Sequence, residues 1–351
     1  MIIPVLMTIG YYAVTVLGLG LLVAAHEAGH LALARLMGMR VETYSIGFGP
    51  RLWGFQKGDT DYRISAFPLG GYCKIAGITP DDPAAQDPND RGSYSNKPAW
   101  RRVLVIAAGP GVNYLAAFVI LTLLYASGGV RDLTTTQIQV QPNGPAAMAG
   151  MLTGDRVLSI DGVPVKSFYD LPPELAKPGA EKSIAVLRQG QTVTLLVHPA
   201  SGRISVGPDR VTVPVPLGEV IPRASHDVWA MAGQQVSGIA NLFRHRGGAS
   251  LSGPLGIIKQ ASAEVAHGLG DFFYVLASIS VGLCVFNFLP VPALDGGRLI
   301  FLGIELTSGR KVNPKAETVV HLVGLLLLLG LVLGVTILGD LQLGKKLFHW
   351  S

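Results

Sequence analysis

His26-Glu27-Ala28-Gly29-His30 is the stretch that decides how the rest of the chain reads. Between Met1 and Ala34 the only acidic, basic or imidazole side chains are His26, Glu27 and His30. The run around them is apolar and long enough for a membrane, where polar groups are expensive and serve a function or pair with something. On a helix, side chains four residues apart leave from one face, so both imidazoles can bind a single zinc ion. Glu27 lies beside them and can act as general base on a water at that metal. Two histidines merely tolerated on a helix would be the bland alternative, and an otherwise apolar span argues against it.

Working outward, the chain has 351 residues, 49% hydrophobic and 15% charged, more apolar and less charged than a typical soluble domain. The net charge of +5 is modest, and no Lys/Arg block carries interleaved aromatics, which excludes a nucleic-acid partner. Cys73 and Cys284 lack Cys-x-x-Cys spacing and form no disulfide framework. A bilayer span takes about 20 apolar residues. Such stretches run from Ile3 to Ala34, within Val103 to Val130, from Phe272 to Leu294, and from Thr318 to Gly339, the last holding His321. The first lacks a basic start, is too long for a cleaved signal peptide, and contains the motif.

Orientation follows from the flanking Lys and Arg. None precedes the first span. Arg35, Arg40, Arg51, Lys57, Arg63, Lys74, Arg91, Lys97, Arg101 and Arg102 follow it, and Arg298, Arg310, Lys311 and Lys315 lie between the third and fourth spans. Both segments are expected in the cytoplasm, with both termini and the long middle segment outside. Lys345 and Lys346 pull mildly the other way. His26 precedes Arg35 by nine residues, about 14 Å of helix, so the motif sits in the membrane near its cytoplasmic face.

Between the first two spans, 51–56 and 60–66 flank Lys57-Gly58-Asp59 and read as a β-hairpin, which Phe67-Pro68-Leu69-Gly70-Gly71 then ends. This ribbon covers the helix ends or offers an edge strand to an extended peptide. Thr79 to Pro98, rich in Asp, Pro, Asn and Ser, reads as an exposed, mobile loop. The second span opens with Ala108-Gly109-Pro110-Gly111-Val112-Asn113, where Gly and Pro permit close approach and Asn113 needs a partner inside the bundle. From Arg131 to about Pro216 the chain turns polar, with short strands and turns, and Ser167 with Asp170 suggests a helix start. Ala224 to Phe243 reads as an amphipathic helix flanked by surface histidines His226 and His245, and Ser252 to Ile257 as a turn leading back.

The third span ends in Asn287-Phe288-Leu289-Pro290-Val291-Pro292-Ala293-Leu294-Asp295-Gly296-Gly297. Two prolines followed by Gly-Gly break a helix, and broken backbone at that depth belongs inside protein or beside a watery cavity. Asp295 thereby becomes the candidate third ligand, at a depth matching His26 and His30, with a fourth position left for water.

Gly144 to Val165, with Gly154-Asp155, a strand and Asp161-Gly162, resembles the PDZ domains of bacterial proteases. His26-Glu27-Ala28-Gly29-His30, Gly109-Pro110-Gly111-Val112-Asn113 and Asn287 to Gly297 together resemble the site-2 protease family of intramembrane zinc metalloproteases. With one PDZ-like insertion, the chain resembles the bacterial, sigma-factor-regulating branch. The resemblance implies Zn2+ held by His26, His30 and Asp295, Glu27 as catalytic base, Asn287 and Asn113 at the substrate, and a hairpin that grips the substrate strand. It implies cleavage in or near the transmembrane helix of single-span membrane proteins, such as anti-sigma factors or signal-peptide remnants, after a first extracytoplasmic cut. The PDZ domain would take a peptide end or strand.

The expected fold is therefore a polytopic α-helical membrane protein with four transmembrane helices, a cytoplasmic-side β-hairpin and an inserted extracytoplasmic PDZ-like α+β domain. Its expected segments are 1–36, the first span with the motif; 37–102, the cytoplasmic loop with the hairpin; and 103–130, the second span. The PDZ-like domain occupies 131–216, and the amphipathic helix with its connector 217–271. The third span and ligand motif cover 272–306, a cytoplasmic loop 307–316, the fourth span 317–343 and a tail 344–351. The expected location is a bacterial inner membrane. Two rivals stay open: a metal-ion transporter using His26, His30, Asp295 and His321 as a path, and a PDZ-bearing receptor or scaffold with a structural metal. Glu27 separates them, because neither rival needs a base between the histidines.

Overall fold

The computed structural model describes residues 2–128, 130–131, 136–166, 170–175, 181–200, 204–208, 212–243 and 253–337. Ser167, His245, Lys345, Lys346 and the 344–351 tail lie outside the described residues. The chain divides into a unit of 1–123 with 221–351 and a unit of 124–220.

In the first unit, helix α1 (Ile2–Leu36) leads into strands β1 (Val41–Lys57) and β2 (Thr60–Ile75), a short helix α2 (Pro83–Gln86) and α3 (Ala99–Gly128). Later come α6 (Leu217–Phe243), α7 (Pro254–His267), α8 (Leu269–Phe288), α9 (Asp295–Ser308) and α10 (Pro314–Val335). Four helical segments are long and apolar enough to cross a membrane: Leu6–Leu36, Ala99–Ser127, Leu269–Phe288 and Pro314–Val335. The protein is polytopic, as expected. Large apolar side chains such as Leu17, Leu21, Leu123 and Leu327 point outward from these helices, while Thr15, His26, His30, Asn113 and Ser280 are buried. That inversion is what a lipid solvent favours.

The third span is shorter than expected. The α8 helix stops at Phe288 rather than Leu294, because Pro290 and Pro292 cannot continue its ladder, and α9 starts afresh at Asp295. Of the stretch Ser252 to Ile257, Ser252 lies outside the described residues, and the rest does not simply turn. Pro254 opens α7, a position where its fixed φ and missing N–H suit a helix start, and α7 packs on α1, with Ser262 Oγ donating to Thr15 Oγ1 at 3.0 Å. The amphipathic helix forms as α6, with Ala224, Val228 and Met231 buried and Ile221 and Trp229 exposed.

The β-hairpin is also longer than expected, because the Gly/Pro clusters bend the strands instead of ending them. Residues 43–46 pair with 71–74 on one side and 61–64 on the other, while 51–57 pairs with 60–65. The ribbon is thus a sheet of four strand segments. Its bends interlock: a Cβ at Gly70 would strike the Phe48 ring, and one at Gly49 would lie 2.7 Å from Phe67 Cδ2. Each bend supplies a ring that fills the other's missing side chain. At its base, Val41 and Ile75 are buried in a cluster with Ala34, Met39, Tyr94, Val105, Ile106 and Leu302.

Thr79 to Pro98 exposes much of its length, as expected, but is more than a plain loop. Its polar residues are spent on local structure. Asp82 caps α2 by accepting from Ala84 N at 2.9 Å, Arg40 clamps Asp90 at 2.8 and 3.2 Å, and Ser93 and Tyr94 are buried. The Arg40 guanidinium holds the Asp90 carboxyl below its ordinary value.

The 124–220 unit holds β3 (Val130–Arg131), β4 (Ile138–Val140), α4 (Pro145–Met148), β5 (Arg156–Ile160), β6 (Val163–Pro164) and α5 (Leu171–Leu175), then β7 (Lys182–Arg188), β8 (Gln191–Val197), β9 (Val206–Pro208) and β10 (Thr212–Val213). Antiparallel strands run in the order β6-β5-β7-β8, with β4 on β9 and β3 on β10. Ile138, Val157, Ile160, Ile184, Val186 and Val197 close an apolar core. Burial alone would raise the Asp155 carboxyl, but the Arg188 guanidinium at 2.7 Å and the Leu152 N–H hold it below its ordinary value.

Candidate metal centre

The structure brings the two ends of the chain's chemistry together. His26 and His30, one helical turn apart on α1, present Nε2 atoms 3.2 Å from each other. The Asp295 Oδ2 atom lies 3.2 Å from His26 Nε2 and 3.4 Å from His30 Nε2. Among the described residues this is the one cluster of three or more His, Cys, Asp or Glu side chains able to hold a metal. Ligands of a tetrahedral zinc, at about 2.0–2.1 Å from the ion, stand about 3.3–3.4 Å apart. The three donors therefore form one face of such a tetrahedron. Asp295 Oδ2 is a buried acceptor with no hydrogen bond to satisfy it, a costly arrangement for protein alone and a natural one for a metal ligand.

Each of the two imidazoles is held from behind. His30 Nδ1–H donates to Val105 O at 2.8 Å, which leaves Nε2 as the free lone pair. The Asn113 amide lies 3.1 Å from His26 Nδ1, and its Oδ1 is a buried atom without a hydrogen bond. Turning the amide about its last bond puts Oδ1 at that place. It then accepts from His26 Nδ1–H, and both problems are solved together. The Asn113 carbonyl in turn accepts from Ser280 Oγ on α8 at 2.8 Å.

Close approach of α1 and α3 requires the glycines at their crossing. A Cβ at Gly29 would lie 2.9 Å from the Ala108 carbonyl carbon, and one at Gly109 would lie 2.7 Å from His26 Nε2 and nearer still to His30 Nε2. The first Gly of the 109–113 piece is thus shaped by the imidazoles it faces.

Glu27 is half-buried beside this face, with Gly71 of β2 packed against it and a backbone hydrogen bond at Cys73. The 71–75 segment forms one edge of the hairpin sheet next to α1, where Tyr44 Oη also donates to Ala24 O at 2.7 Å. Asn287 is half-buried near the end of α8, its Nδ2 donating to Leu283 O of its own helix at 3.0 Å. Asn113, expected at the substrate, has its side chain against His26. The sequence shows that Asn113 needs a partner but not which one. His321 of α10 accepts a hydrogen bond from Ala293 N at 2.9 Å and is not one of the three clustered donors.

Helices that suit a membrane, converging on two histidines, an aspartate and an adjacent glutamate, define the class: a membrane metallopeptidase. The comparisons with known proteins agree. Residues 14–331 match the model of Peptidase family M50. Metalloprotease MmpA of Caulobacter vibrioides is 31% identical, over 90% of this chain and 91% of that protein. A Clostridium perfringens protein named provisionally as a zinc metalloprotease is 32% identical over 93% of this chain and 97% of its own length. A similarly named Rhizobium meliloti protein is 31% identical over 89% and 91%. The chain belongs to peptidase family M50, the site-2 protease family, and is a zinc metalloprotease of the membrane. An enzyme family leaves no need for the transporter and scaffold readings.

Proposed function

We propose that the protein is an intramembrane endopeptidase that cuts a peptide bond in or near the transmembrane helix of single-span membrane proteins. The observation that carries this reading is the meeting of His26, His30 and Asp295 in one triangle of 3.2–3.4 Å edges, the histidines on a helix that suits a bilayer and Asp295 just past the break that ends another. These three residues would hold zinc, which when bound supplies Lewis-acid activation of the reacting carbonyl and water. Glu27 takes a proton from the attacking water as the C–O bond forms and delivers it to the amine as the C–N bond breaks. Asn113 and Val105 O fix the two imidazoles, and Asn287 holds substrate backbone.

A transmembrane helix hides its amides in its own ladder, so the substrate must open before it can be cut. Each backbone group left unpaired in lipid costs several kcal/mol. The 71–75 edge of β2, beside Glu27, offers a ladder to replace those lost bonds. Residues 131–216 are read as a PDZ domain that takes a peptide end or strand, which fits substrates already trimmed outside the membrane. Anti-sigma factors and signal-peptide remnants have that form. The positive flanks support a cytoplasmic-side active site with both termini outside, in a bacterial inner membrane.

The Glu27→Gln variant tests the chemistry. It should retain zinc and bind a model single-span substrate, yet cleave it about 10²–10⁴-fold more slowly. Undiminished cleavage would sink the assignment. The same variant should also trap uncleaved membrane partners for identification.

A further inference from the structure

The broken segment that delivers Asp295 is held from outside itself. It runs from Leu289 to Leu294, between α8 and α9. Within it Ala293 has φ of 77°, a left-handed conformation that strains a non-glycine residue. Such a conformation persists only when its surroundings hold it. The internal hydrogen bonds are few: Val291 N to Leu289 O at 2.7 Å, and Leu294 N to Val291 O at 3.2 Å. The Ala293 N–H, two residues before the ligand, donates instead to His321 Nδ1 on α10 at 2.9 Å. The two elements also touch one turn further along α10, where a Cβ at Gly324 would lie 2.9 Å from the Pro292 carbonyl.

We propose that His321 is a positioning residue: it holds Ala293 in its strained conformation and thereby sets Asp295 against the two histidines. The inference rests on the reading of Asp295 as a metal ligand. The chemistry suits the task. An imidazole that accepts at Nδ1 carries its proton at Nε2, and this Nε2 is buried without a hydrogen bond, 3.9 Å from Glu317 Oε1. The ring packs on Phe301 of α9, with centroids 5.6 Å apart. It also borders a cavity of about 570 Å³ lined by Arg298, Glu317 and Ala293. Gly324 is the one buried residue among those described on α10, so this helix meets the body of the protein over a narrow contact. His321 supplies that contact with its one hydrogen bond to the ligand-bearing loop.

The test uses the full chain in detergent, loaded with zinc, with two readouts: the rate of zinc release to a chelator, and kcat and KM on a model membrane substrate. His321→Leu fills the space without an acceptor and should speed zinc release about tenfold, lowering kcat but leaving KM unchanged. His321→Asn places Oδ1 near the position of Nδ1 and should restore both readouts. If His321→Leu does not fold, His321→Ala replaces it in the same comparison. Equal behaviour of the Asn and apolar variants, whether both are intact or both impaired, overturns the proposal. Asp295→Ala separates the two readings. If it releases zinc no faster than the parent, the metal-site reading itself falls and takes this one with it. If Asp295→Ala loses zinc while the Asn and apolar His321 variants agree, only the role of His321 falls.

Discussion

The membrane helices and the 124–220 unit are built from the same residue types placed in opposite ways. In the unit, Ile138, Ile160 and Ile184 are fully buried, and the rare buried charges Asp155 and Lys182 are paired with Arg188 and Asp161. In the helices, Leu17 and Leu21 face outward at 65% and 68% exposure, while two histidines and Asn113 occupy the interior. Water drives apolar groups together in the first case. In lipid that drive is absent, so close packing of small residues and interior polar contacts hold the helices. Interior substitutions should therefore cost stability in one region and chemistry in the other.

The largest expected effect comes from Gly109→Ala. Its Cβ would occupy the space of both imidazole Nε2 atoms, so zinc affinity, read by chelator competition, should fall about a hundredfold or more. Retained zinc would break the comparison at its strongest point. Next, Asn113→Leu removes the partner of His26 Nδ1 while keeping the volume, and zinc affinity should drop about 10–100-fold while the helical content by circular dichroism is kept. In the β-rich unit, Ile184→Ala should lower local stability by about 2–4 kcal/mol in hydrogen exchange and leave zinc affinity unchanged. The smallest effect belongs to Asp155. Its carboxyl lies below the ordinary value in the fold, so its contribution is fully present above the unfolded value of about 3.9 and fades as pH falls through the folded value. Asp155→Asn should therefore flatten the acid loss of protection in that unit below about pH 4.

Much of the metal site was legible because its parts are short and regular. A helix repeat carries His26 and His30 to one face, and two prolines announce that the chain breaks before Asp295. What brings the two pieces to 3.2 Å is tertiary and has no local mark. Asn113 advertised a need for a partner, but its identity depended on how α1 crosses α3. Misreadings arose where one residue type has two uses. Pro254 punctuates a loop and also starts a helix. The Asp, Ser and Asn residues of Thr79–Pro98 look solvated, yet Asp82 and Asp90 cap and clamp. Pro68 and Gly70 look like a strand end, and are a bend in a strand that continues. His321 suggested only a station on an ion path, because its partner is a backbone amide, which sequence does not display.

The interlocked bends of the hairpin have a mechanical consequence. Phe48 seated over Gly70 and Phe67 over Gly49 brace the ribbon at its waist, and buried Val41 and Ile75 brace it at its root. So braced, it would serve the proposed reaction as a rail rather than a jaw. On the proposed reading, a substrate strand laid along it would do the yielding, so the sequences cut would be those whose helices come apart cheaply, with glycine, proline or polar residues near the cleaved bond. Selectivity would then be a property of how easily the guest deforms, measured against a host that does not.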